Sequence, residues 1–258
     1  MKWFISTIIV AIVTAQALNV AAAGEDSPHS FSANVLLATE YQFRGLTQSD
    51  EDFAIQGGFD YEYTPLGAYV GFWASSIEFP GLEINSPASV ETNLYGGFSG
   101  TFSGGINWDI GGLYYYYPDH DENTGFGEYD YFEVYGNLDY TFDGYSLEPS
   151  IGIGFDWSPD YFGEDDDGIH IESFIGFSLP QGFGLTANMN YLDVEGDKSF
   201  TGGYDYFYYS IELSKSFGIL DFAVSWFEGG DDCDDILAGG NDDLCEGFVF
   251  TVGSSWGG

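Results

Sequence analysis

The sequence has 258 residues, of which 42 are acidic and 4 are basic, and its formal net charge is −38. A chain this acidic repels phosphate backbones, which excludes a nucleic-acid partner. Aromatic residues make up 19% of the sequence. Acidic disordered chains are poor in aromatic residues, so the composition predicts a folded protein.

The chain begins with the pattern of a secretory signal peptide. Lys2 gives a charged start, Trp3–Val13 is an apolar stretch too short to span a bilayer, and Ala21–Ala23 is a small-residue cleavage site. We therefore expect cleavage after residue 23 and export of one mature domain, 24–258. A membrane anchor is the alternative, which Gln16 weakens because it interrupts the apolar run.

Runs of alternating apolar and polar residues recur along the mature chain, most clearly in Tyr145–Trp157. Successive side chains of a β-strand point to opposite faces, so each run predicts a two-faced strand. Most of the runs reach the 9–11 residues that a tilted membrane strand needs. We predict twelve strands, over 33–45, 53–64, 66–79, 89–101, 105–117, 129–142, 145–157, 168–179, 183–192, 204–216, 219–227 and 247–256.

Short and long connections alternate between these strands. The predicted short connections are 64–66, 102–105, 143–144, 180–182 and 217–218. The predicted long connections are 46–52, 80–88, 118–128, 158–168, 193–203 and 228–246, and they hold nearly all the acidic residues found in connections. An even number of strands joined in this way is typical of an outer-membrane β-barrel, with short periplasmic turns and long extracellular loops.

Alternation does not by itself say which face of a strand points outward. In a soluble barrel or sandwich the apolar face lines the core, and an acidic secreted β-protein is the alternative here. Strand length favours a membrane barrel, and so do aromatic residues at strand ends, such as Tyr114–Tyr117, Tyr129–Phe132 and Tyr204–Tyr209, which fit an interfacial girdle. The polar face also carries almost only negative charge, whereas soluble surfaces mix both signs.

Several segments also resemble a known family. They are Tyr41–Asp52 (YQFRGLTQSDED), Ala54–Tyr61 (AIQGGFDY), Phe72–Ser76 (FWASS), Tyr115–Pro118 (YYYP), Glu133–Tyr135 (EVY) and Ser158–Phe162 (SPDYF). Together they are similar to the TorF-type porin family, long described as bacterial proteins of unknown function, over essentially the whole mature chain. The resemblance implies an outer-membrane β-barrel that acts as a porin, with no catalytic residues to carry over. The chain departs from the usual aromatic C-terminus of such proteins, since Gly257 and Gly258 follow Trp256.

The polar strand faces supply the candidate pore lining, in which carboxylates favour cations and exclude anions. Arg44, the only arginine in the chain, either contacts a solute or forms an ion pair with a neighbouring carboxylate. The candidate pore-lining residues are Glu40, Gln42, Arg44, Asp60, Glu62, Glu91, Asp109, Glu133, Asp139, Glu148, Asp156, Glu172 and Glu212.

Cys233 and Cys245 lie in one acidic segment and, in an exported protein, most simply form a disulfide. A two-cysteine metal site is the alternative, and no histidine lies nearby to complete it. The acidic segments 164–168 and 231–243 lack the spacing of a defined calcium loop, so we expect at most weak divalent-cation binding.

The three histidines are His29, His120 and His170, and no nucleophile motif accompanies any of them. The sequence therefore predicts neither an enzyme nor a cofactor.

These features predict a barrel in the bacterial outer membrane, with lipids as neighbours, that passes small hydrophilic solutes and prefers cations. Twelve strands enclose a lumen between the filled one of eight strands and the aqueous channel of 16–18, so inward side chains or a folded-in loop can restrict it. A non-conducting structural or adhesive barrel and an outer-membrane hydrolase are the alternatives. The sequence leaves the oligomeric state open.

Overall fold

The computed structural model describes residues 27–79, 88–118, 129–163, 166–196, 203–231, 233 and 241–257. Within these ranges the chain forms a closed antiparallel barrel of twelve long strands, which confirms the predicted fold class. The long strands are β1 His29–Ala38, β4 Ala54–Tyr63, β5 Ala68–Ser76, β6 Val90–Thr101, β7 Asn107–Tyr116, β8 Tyr131–Thr141, β9 Ser150–Ser158, β10 Gly168–Leu179, β11 Phe183–Val194, β12 Tyr204–Phe217, β13 Leu220–Glu228 and β14 Glu246–Gly257. The two-residue strands β2 Gln42–Phe43 and β3 Leu46–Thr47 form a separate hairpin.

Each long strand pairs with its neighbours in the sequence, and β1 pairs with β14 to close the barrel, with Leu36 opposite Gly253. The short connections, 64–67, 102–106, 142–149, 180–182 and 218–219, all lie at one end, which we call the turn end. The strand ends that lead into the other connections lie at the opposite end, which we call the loop end. In the described part of the chain, no helix is long and apolar enough to cross a membrane.

The two faces of the barrel wall differ in polarity. Large apolar side chains point outward and are exposed, among them Phe59, Ile110 and Ile153. The alternate positions point into the lumen and carry polar or charged side chains, many of them buried, such as Asn93 and Glu133. This distribution is the reverse of a soluble barrel, in which the apolar face lines the interior.

The first predicted strand, 33–45, is wrong at both ends. β1 starts at His29 and ends at Ala38, and the chain then turns into the lumen. Arg44 and Gly45 both have positive φ, at 51° and 84°, which is the requirement of a tight two-residue hairpin turn. The alternation of residues 39–45 is therefore that of a short hairpin strand inside the barrel.

The strand predicted over 145–157 also begins later, at Ser150. Residues 142–149 form a turn that the backbone N–H of Phe142 closes by donating to the carbonyl of Pro149 at 2.8 Å. Proline has no N–H to give to a strand ladder, and Glu148 has a φ of 38°. Glu148 is exposed at the turn end, so its prediction as a pore-lining residue is wrong.

Several sequence predictions fall outside the described residues. These are the signal peptide at 1–23, His120 and most of the two acidic segments, including 164–165, 232 and 234–240.

Candidate functional site

Residues 41–48, the plug hairpin, fold into the barrel near the loop end. The N–H of Gln48 donates to the carbonyl of Tyr41 at 2.6 Å, and the N–H of Glu78 donates to the carbonyl of Gln48 at 2.8 Å. Thr47 is fully buried. The plug hairpin is thus bonded to itself and to the segment that follows β5, and it occupies the lumen at this level.

Arg44 stands at the tip of the plug hairpin and reaches across the lumen to β8. Its Nη1 and Nη2 atoms donate to the two carboxylate oxygens of Glu133 at 2.7 and 2.9 Å. Both residues are almost fully buried, at 4% and 2% exposure. The structure thus gives Arg44 an ion pair, one of the two roles considered from the sequence. Planar bidentate pairing is the strongest arrangement open to a guanidinium.

A second buried chain of hydrogen bonds lies beside this pair. Nδ1 of His170 is 2.7 Å from Oδ2 of Asp156, and Nε2 of His170 is 2.6 Å from the hydroxyl of Tyr208. A neutral imidazole that donates from Nδ1 and accepts at Nε2 satisfies both contacts. Asp156 also lies 3.9 Å from Nη2 of Arg44, so the chain connects the ion pair to Tyr208.

Asp156, His170 and Glu172 each offer one ligand atom within 4.8 Å of the others, which makes them a possible metal-binding group among the described residues. The guanidinium of Arg44 places a positive charge beside Asp156. That charge repels a metal cation, so the donor set fits the hydrogen-bonded network better than a metal centre.

Tyrosines surround the plug hairpin. Tyr115 and Tyr131 stack with ring centroids 4.2 Å apart, and Tyr115 also packs against Phe43. Tyr161 lies under the guanidinium of Arg44, 5.4 Å from ring centroid to Cζ. Glu91 accepts hydrogen bonds from the hydroxyls of Tyr41 and Tyr117, among other donors.

The tyrosines around the plug hairpin, among them Tyr115, Tyr131 and Tyr161, form what we call the tyrosine shell. Their position in the lumen means that only part of each aromatic run belongs to the predicted girdle. In Tyr114–Tyr117 and Tyr204–Tyr209, alternate residues face opposite ways: Tyr114 and Tyr209 are exposed, whereas Tyr115 and Tyr206 are buried in the lumen. Only the outward members are placed to serve as a girdle. The same period-2 alternation that identifies the strands could have shown this division, because it also separates the two faces of a run that is aromatic on both.

A disulfide joins Cys233 to Cys245, and both residues are fully buried. Sγ of Cys233 lies 3.4 Å from the carbonyl oxygen of Gly45, a packing contact since a bonded sulfur carries no proton. The hydroxyl of Tyr206 donates to the carbonyl of Arg44 at 2.7 Å. The connection between β13 and β14 therefore rests directly on the tip of the plug hairpin.

Two features restrict position 45 to glycine, namely the space around it and its backbone conformation. A Cβ at this position would meet Cβ of Tyr208 at 2.8 Å and Cα of Gly229 at 3.3 Å. Its φ of 84° is one that residues with side chains rarely adopt. Glycine is therefore the residue that lets the hairpin tip pass under the disulfide.

Towards the turn end the lumen is polar and partly exposed. Asp60 accepts hydrogen bonds from Ser32 and Tyr95, and Asp109 accepts one from Tyr69. Several inward carboxylates and amides here are partly exposed, namely Asp60, Glu62, Asp139, Asn188 and Glu212. The lumen is therefore a polar vestibule that opens towards the turn end and is packed shut towards the loop end by the plug hairpin.

A cavity of about 160 Å³ lies beside the plug hairpin, and its wall is formed mainly by β9–β13 with single residues of β1, β4, β5 and β14. Gln42 and Arg44 of the plug hairpin line it, together with Glu40, which directly precedes the hairpin. Burial raises the pKa of Glu40 to about 7, although a hydrogen bond from Thr47 opposes the rise. Three buried atoms of these residues, Oε1 of Glu40, Nε2 of Gln42 and Nε of Arg44, have no hydrogen-bond partner among the described residues.

All the predicted pore-lining residues except Glu148 have side chains inside the barrel. The structure brings Arg44, Glu133, Asp156 and Glu172 together, and it places Glu40, Gln42 and Glu212 on the cavity. Sequence reasoning missed His170 as a partner of Tyr208, together with the tyrosine shell. His29 lies apart at the turn end, within 2.7 Å of the hydroxyl of Tyr61.

A family model described as a bacterial protein of unknown function (Gcw_chp) matches residues 22–255. No curated protein sequence matches the chain.

Solved structures share the fold at low sequence identity. The NanC porin is 10% identical with a TM-score of 0.55, covering 86% of this chain and 97% of that chain. The KdgM porin, in complex with disordered oligogalacturonate, is 7% identical with a TM-score of 0.52, covering 88% of this chain and 97% of that chain. These likenesses establish a shared barrel architecture.

Proposed function

The chain belongs to the Gcw_chp family of bacterial proteins of unknown function, and we propose that it is an outer-membrane channel for passive diffusion of small hydrophilic solutes. The observation that carries this proposal is the reversed polarity of a closed barrel, with exposed apolar residues outside and a polar vestibule within. An apolar outer band around a polar interior is what a lipid bilayer requires of a β-barrel. The shared fold with porins and the resemblance to TorF-type porins support the same assignment.

The plug hairpin is the constriction of this proposed channel, and its docking is reversible. Within the part of the chain that the structure describes, Oε1 of Glu40, Nε2 of Gln42 and Nε of Arg44 are buried without hydrogen-bond partners. Each such atom costs about 1–3 kcal/mol relative to a solvated one. When the hairpin leaves its docked position these atoms regain water, which offsets part of the free energy lost with the Arg44–Glu133 pair.

A preference for cations follows from the charges inside the barrel. Among the described residues, Arg44 is the only basic side chain directed into the lumen, and Glu133 neutralises it. The carboxylates Asp60, Glu62 and Glu212 are partly exposed in the vestibule. Their field raises the local concentration of cations and lowers that of anions.

The first test is electrical. In planar bilayers with a tenfold KCl gradient, we expect intermittent openings whose reversal potential has the sign of cation selectivity, approaching about 59 mV, the value of a tenfold ratio for a single charge. The selectivity is expected to weaken as the total salt concentration rises, because salt screens the carboxylates. The absence of openings, together with the absence of solute uptake by proteoliposomes, would contradict the proposal.

A matched pair of variants tests whether the vestibule carboxylates set the selectivity. Glu212→Gln removes a charge inside the lumen, whereas Glu148→Gln removes one from an exposed turn. We expect the reversal potential to move towards zero for Glu212→Gln and to stay at the wild-type value for Glu148→Gln. Equal shifts in both variants would place the selectivity in the overall charge of the protein.

One observation favours a second candidate, a non-conducting structural barrel. The lumen is packed at the loop end, where Arg44, Glu133 and Tyr115 are almost fully buried. Such a barrel would migrate heat-modifiably on gels, as expected for a folded outer-membrane barrel, and would conduct neither as wild type nor after loss of the Arg44–Glu133 pair.

An outer-membrane hydrolase is tested by His170→Ala. The Asp156–His170 hydrogen bond resembles half of a catalytic triad, but the next group along is the hydroxyl of Tyr208, a phenol in place of the serine or cysteine that such a triad activates. We expect neither the wild-type protein nor His170→Ala to hydrolyse esters or lipids. Hydrolysis by the wild type that is lost in His170→Ala would favour the hydrolase.

A further inference from the structure

We infer that the cavity beside the plug hairpin binds a small linear solute that carries two ammonium groups, an aliphatic diammonium ion. This inference rests on the proposed function, since the cavity lies in the lumen of the proposed channel. It names the class of cation that pauses there. Glu172 on β10 and Glu212 on β12 both line the cavity, and each carboxylate receives one ammonium group.

Glu172 is a buried carboxylate without a hydrogen-bond partner among the described residues. It is almost fully buried, at 8% exposure, yet its side chain keeps accessible surface and lines the cavity. Its Oε1 atom lies 3.7 Å from Nδ1 of His170, beyond hydrogen-bond range. That nitrogen is already in contact with Asp156 at 2.7 Å. Buried charges in proteins are normally paired, and a cation in the cavity supplies the partner.

Gln56 gives an independent indication that the cavity receives a ligand. It is 4% exposed and lines the cavity from β4, the strand across the barrel from β10. Within the described part of the chain its amide forms no hydrogen bond, and its polar atoms retain accessible surface. A polar side chain this deeply buried usually has a partner. The amide oxygen accepts hydrogen bonds, which an ammonium group donates.

The charges around the cavity favour a cation. Arg44 also lines it, but both of its Nη atoms donate to Glu133, and these two charges cancel. No other basic side chain is among the described residues that line the cavity. The negative charges of Glu172 and Glu212 are therefore left without a counter-charge, and two ammonium groups balance them.

The positions of the two carboxylates require an elongated solute. The strand register places Ile171 of β10 level with Phe207 of β12, and hence Glu172 level with Tyr208. Glu212 follows Tyr208 by four residues on β12, which is about 13 Å along a strand. A metal ion holds its oxygen ligands at about 2.0–2.6 Å and needs a compact set. An alkyl chain with a charge at each end spans the two levels.

The wall between the two carboxylates suits such an alkyl chain. Phe174 is level with Ser210, since both pair with Asn188. It therefore lies between the levels of Glu172 and Glu212, and it lines the cavity. An aromatic ring offers apolar surface to methylene groups and attracts a cation at its face. A cavity of about 150 Å³ accepts benzene in another protein, and 1,4-diaminobutane has as many heavy atoms, so it suits this volume of about 160 Å³.

The test compares 1,4-diaminobutane with 1-aminobutane, 1,4-butanediol and Mg²⁺. Isothermal titration calorimetry is carried out on the detergent-purified protein at about pH 8, where the amino groups stay protonated. We expect 1,4-diaminobutane to bind, 1-aminobutane to bind at least about tenfold more weakly, and 1,4-butanediol to give no heat of binding. Mg²⁺, which concentrates the same charge at one point, is expected to bind more weakly than the diamine. No heat with 1,4-diaminobutane, or equally tight binding of any of the other three, would overturn the inference.

Matched variants locate the site. Glu172→Gln and Glu212→Gln each remove one carboxylate from the cavity and are expected to weaken binding of 1,4-diaminobutane at least about tenfold, towards the affinity of 1-aminobutane. Asp139→Asn removes a lumenal charge that does not line the cavity and is expected to leave the affinity unchanged. Glu212→Gln, at a partly exposed position, serves alone if Glu172→Gln fails to fold. Wild-type affinity in both glutamine variants, or an equal loss in Asp139→Asn, would overturn the assignment.

Calorimetry also separates this inference from the proposed function. Openings in bilayers without any binding of 1,4-diaminobutane would leave the channel in place and remove the site. Binding of 1,4-diaminobutane by a barrel that never conducts would remove the channel and keep the site.

Discussion

Replacing Arg44 with alanine is expected to turn a barrel that opens intermittently into one that is open most of the time. The variant removes the bidentate partner of Glu133 and the cation beside Asp156. Removing one member of a buried ion pair costs about 3–5 kcal/mol, because the other charge is left uncompensated. The carboxylates regain water when the plug hairpin undocks, so the docking equilibrium is expected to shift about a hundredfold or more towards the undocked state.

Single-channel recording measures this shift as the open fraction at a fixed voltage. Lys215→Ala is the matched control, because Lys215 is a basic residue that packs against Phe183 and Phe217 near the turn end. Arg44→Lys keeps the charge without the bidentate geometry and is expected to give an intermediate open fraction. The exchanged pair, Arg44→Glu with Glu133→Arg, is expected to restore part of the closed state. An Arg44→Ala barrel that folds and conducts no more than wild type would show that the hairpin is not the constriction.

The barrel itself was predictable from the sequence because its signals are local and repeated. Alternation such as that of Ile169–Leu179 fixes which side chains share a face. The regular exchange of short and long connections then orders the strands. Each signal is weak alone, but strand number and connectivity depend on all of them together.

The plug hairpin was not predictable in the same way. Its alternation continues that of β1, so nothing in the local pattern shows that the chain leaves the wall after Ala38. What holds the hairpin inside is tertiary: Glu133 on β8, Tyr206 on β12 and Cys233 after β13 all reach its tip. The sequence did indicate the importance of this region, because the segments that carry the family resemblance supply Arg44, Glu133, Tyr115 and Tyr161. Distance along the chain concealed that they meet.

The tyrosine shell was also not predicted from the sequence. Aromatic residues at strand ends suit both a membrane interface and a packed lumen. Period-2 alternation assigns Tyr115 and Tyr206 to the inner face once the strand register is known. The prediction of a girdle treated each aromatic run as a block, so it included residues such as Tyr115 and Tyr206 that point into the lumen.

Breaking the disulfide is expected to loosen the plug hairpin at its tip. Sγ of Cys233 packs 3.4 Å from the carbonyl of Gly45, and the N–H of Gly229 donates to the carbonyl of Cys245 at 2.6 Å. In the double variant Cys233→Ser and Cys245→Ser, residue 233 is no longer tied to residue 245 at the start of β14. The contact that covers the carbonyl of Gly45 is then held less firmly, and the open fraction is expected to rise.

The measurement pairs bilayer recording with a thiol reductant. Wild-type channels treated with reductant, with reduction verified by counting free thiols, are expected to reach the open fraction of the double serine variant. The variant itself is expected to be insensitive to the reagent. Both are expected to keep cation selectivity, because the vestibule carboxylates Asp60, Glu62 and Glu212 lie away from the disulfide. If verified reduction leaves the open fraction unchanged while Arg44→Ala raises it, then the disulfide does not hold the hairpin docked and the contact with Gly45 is only packing.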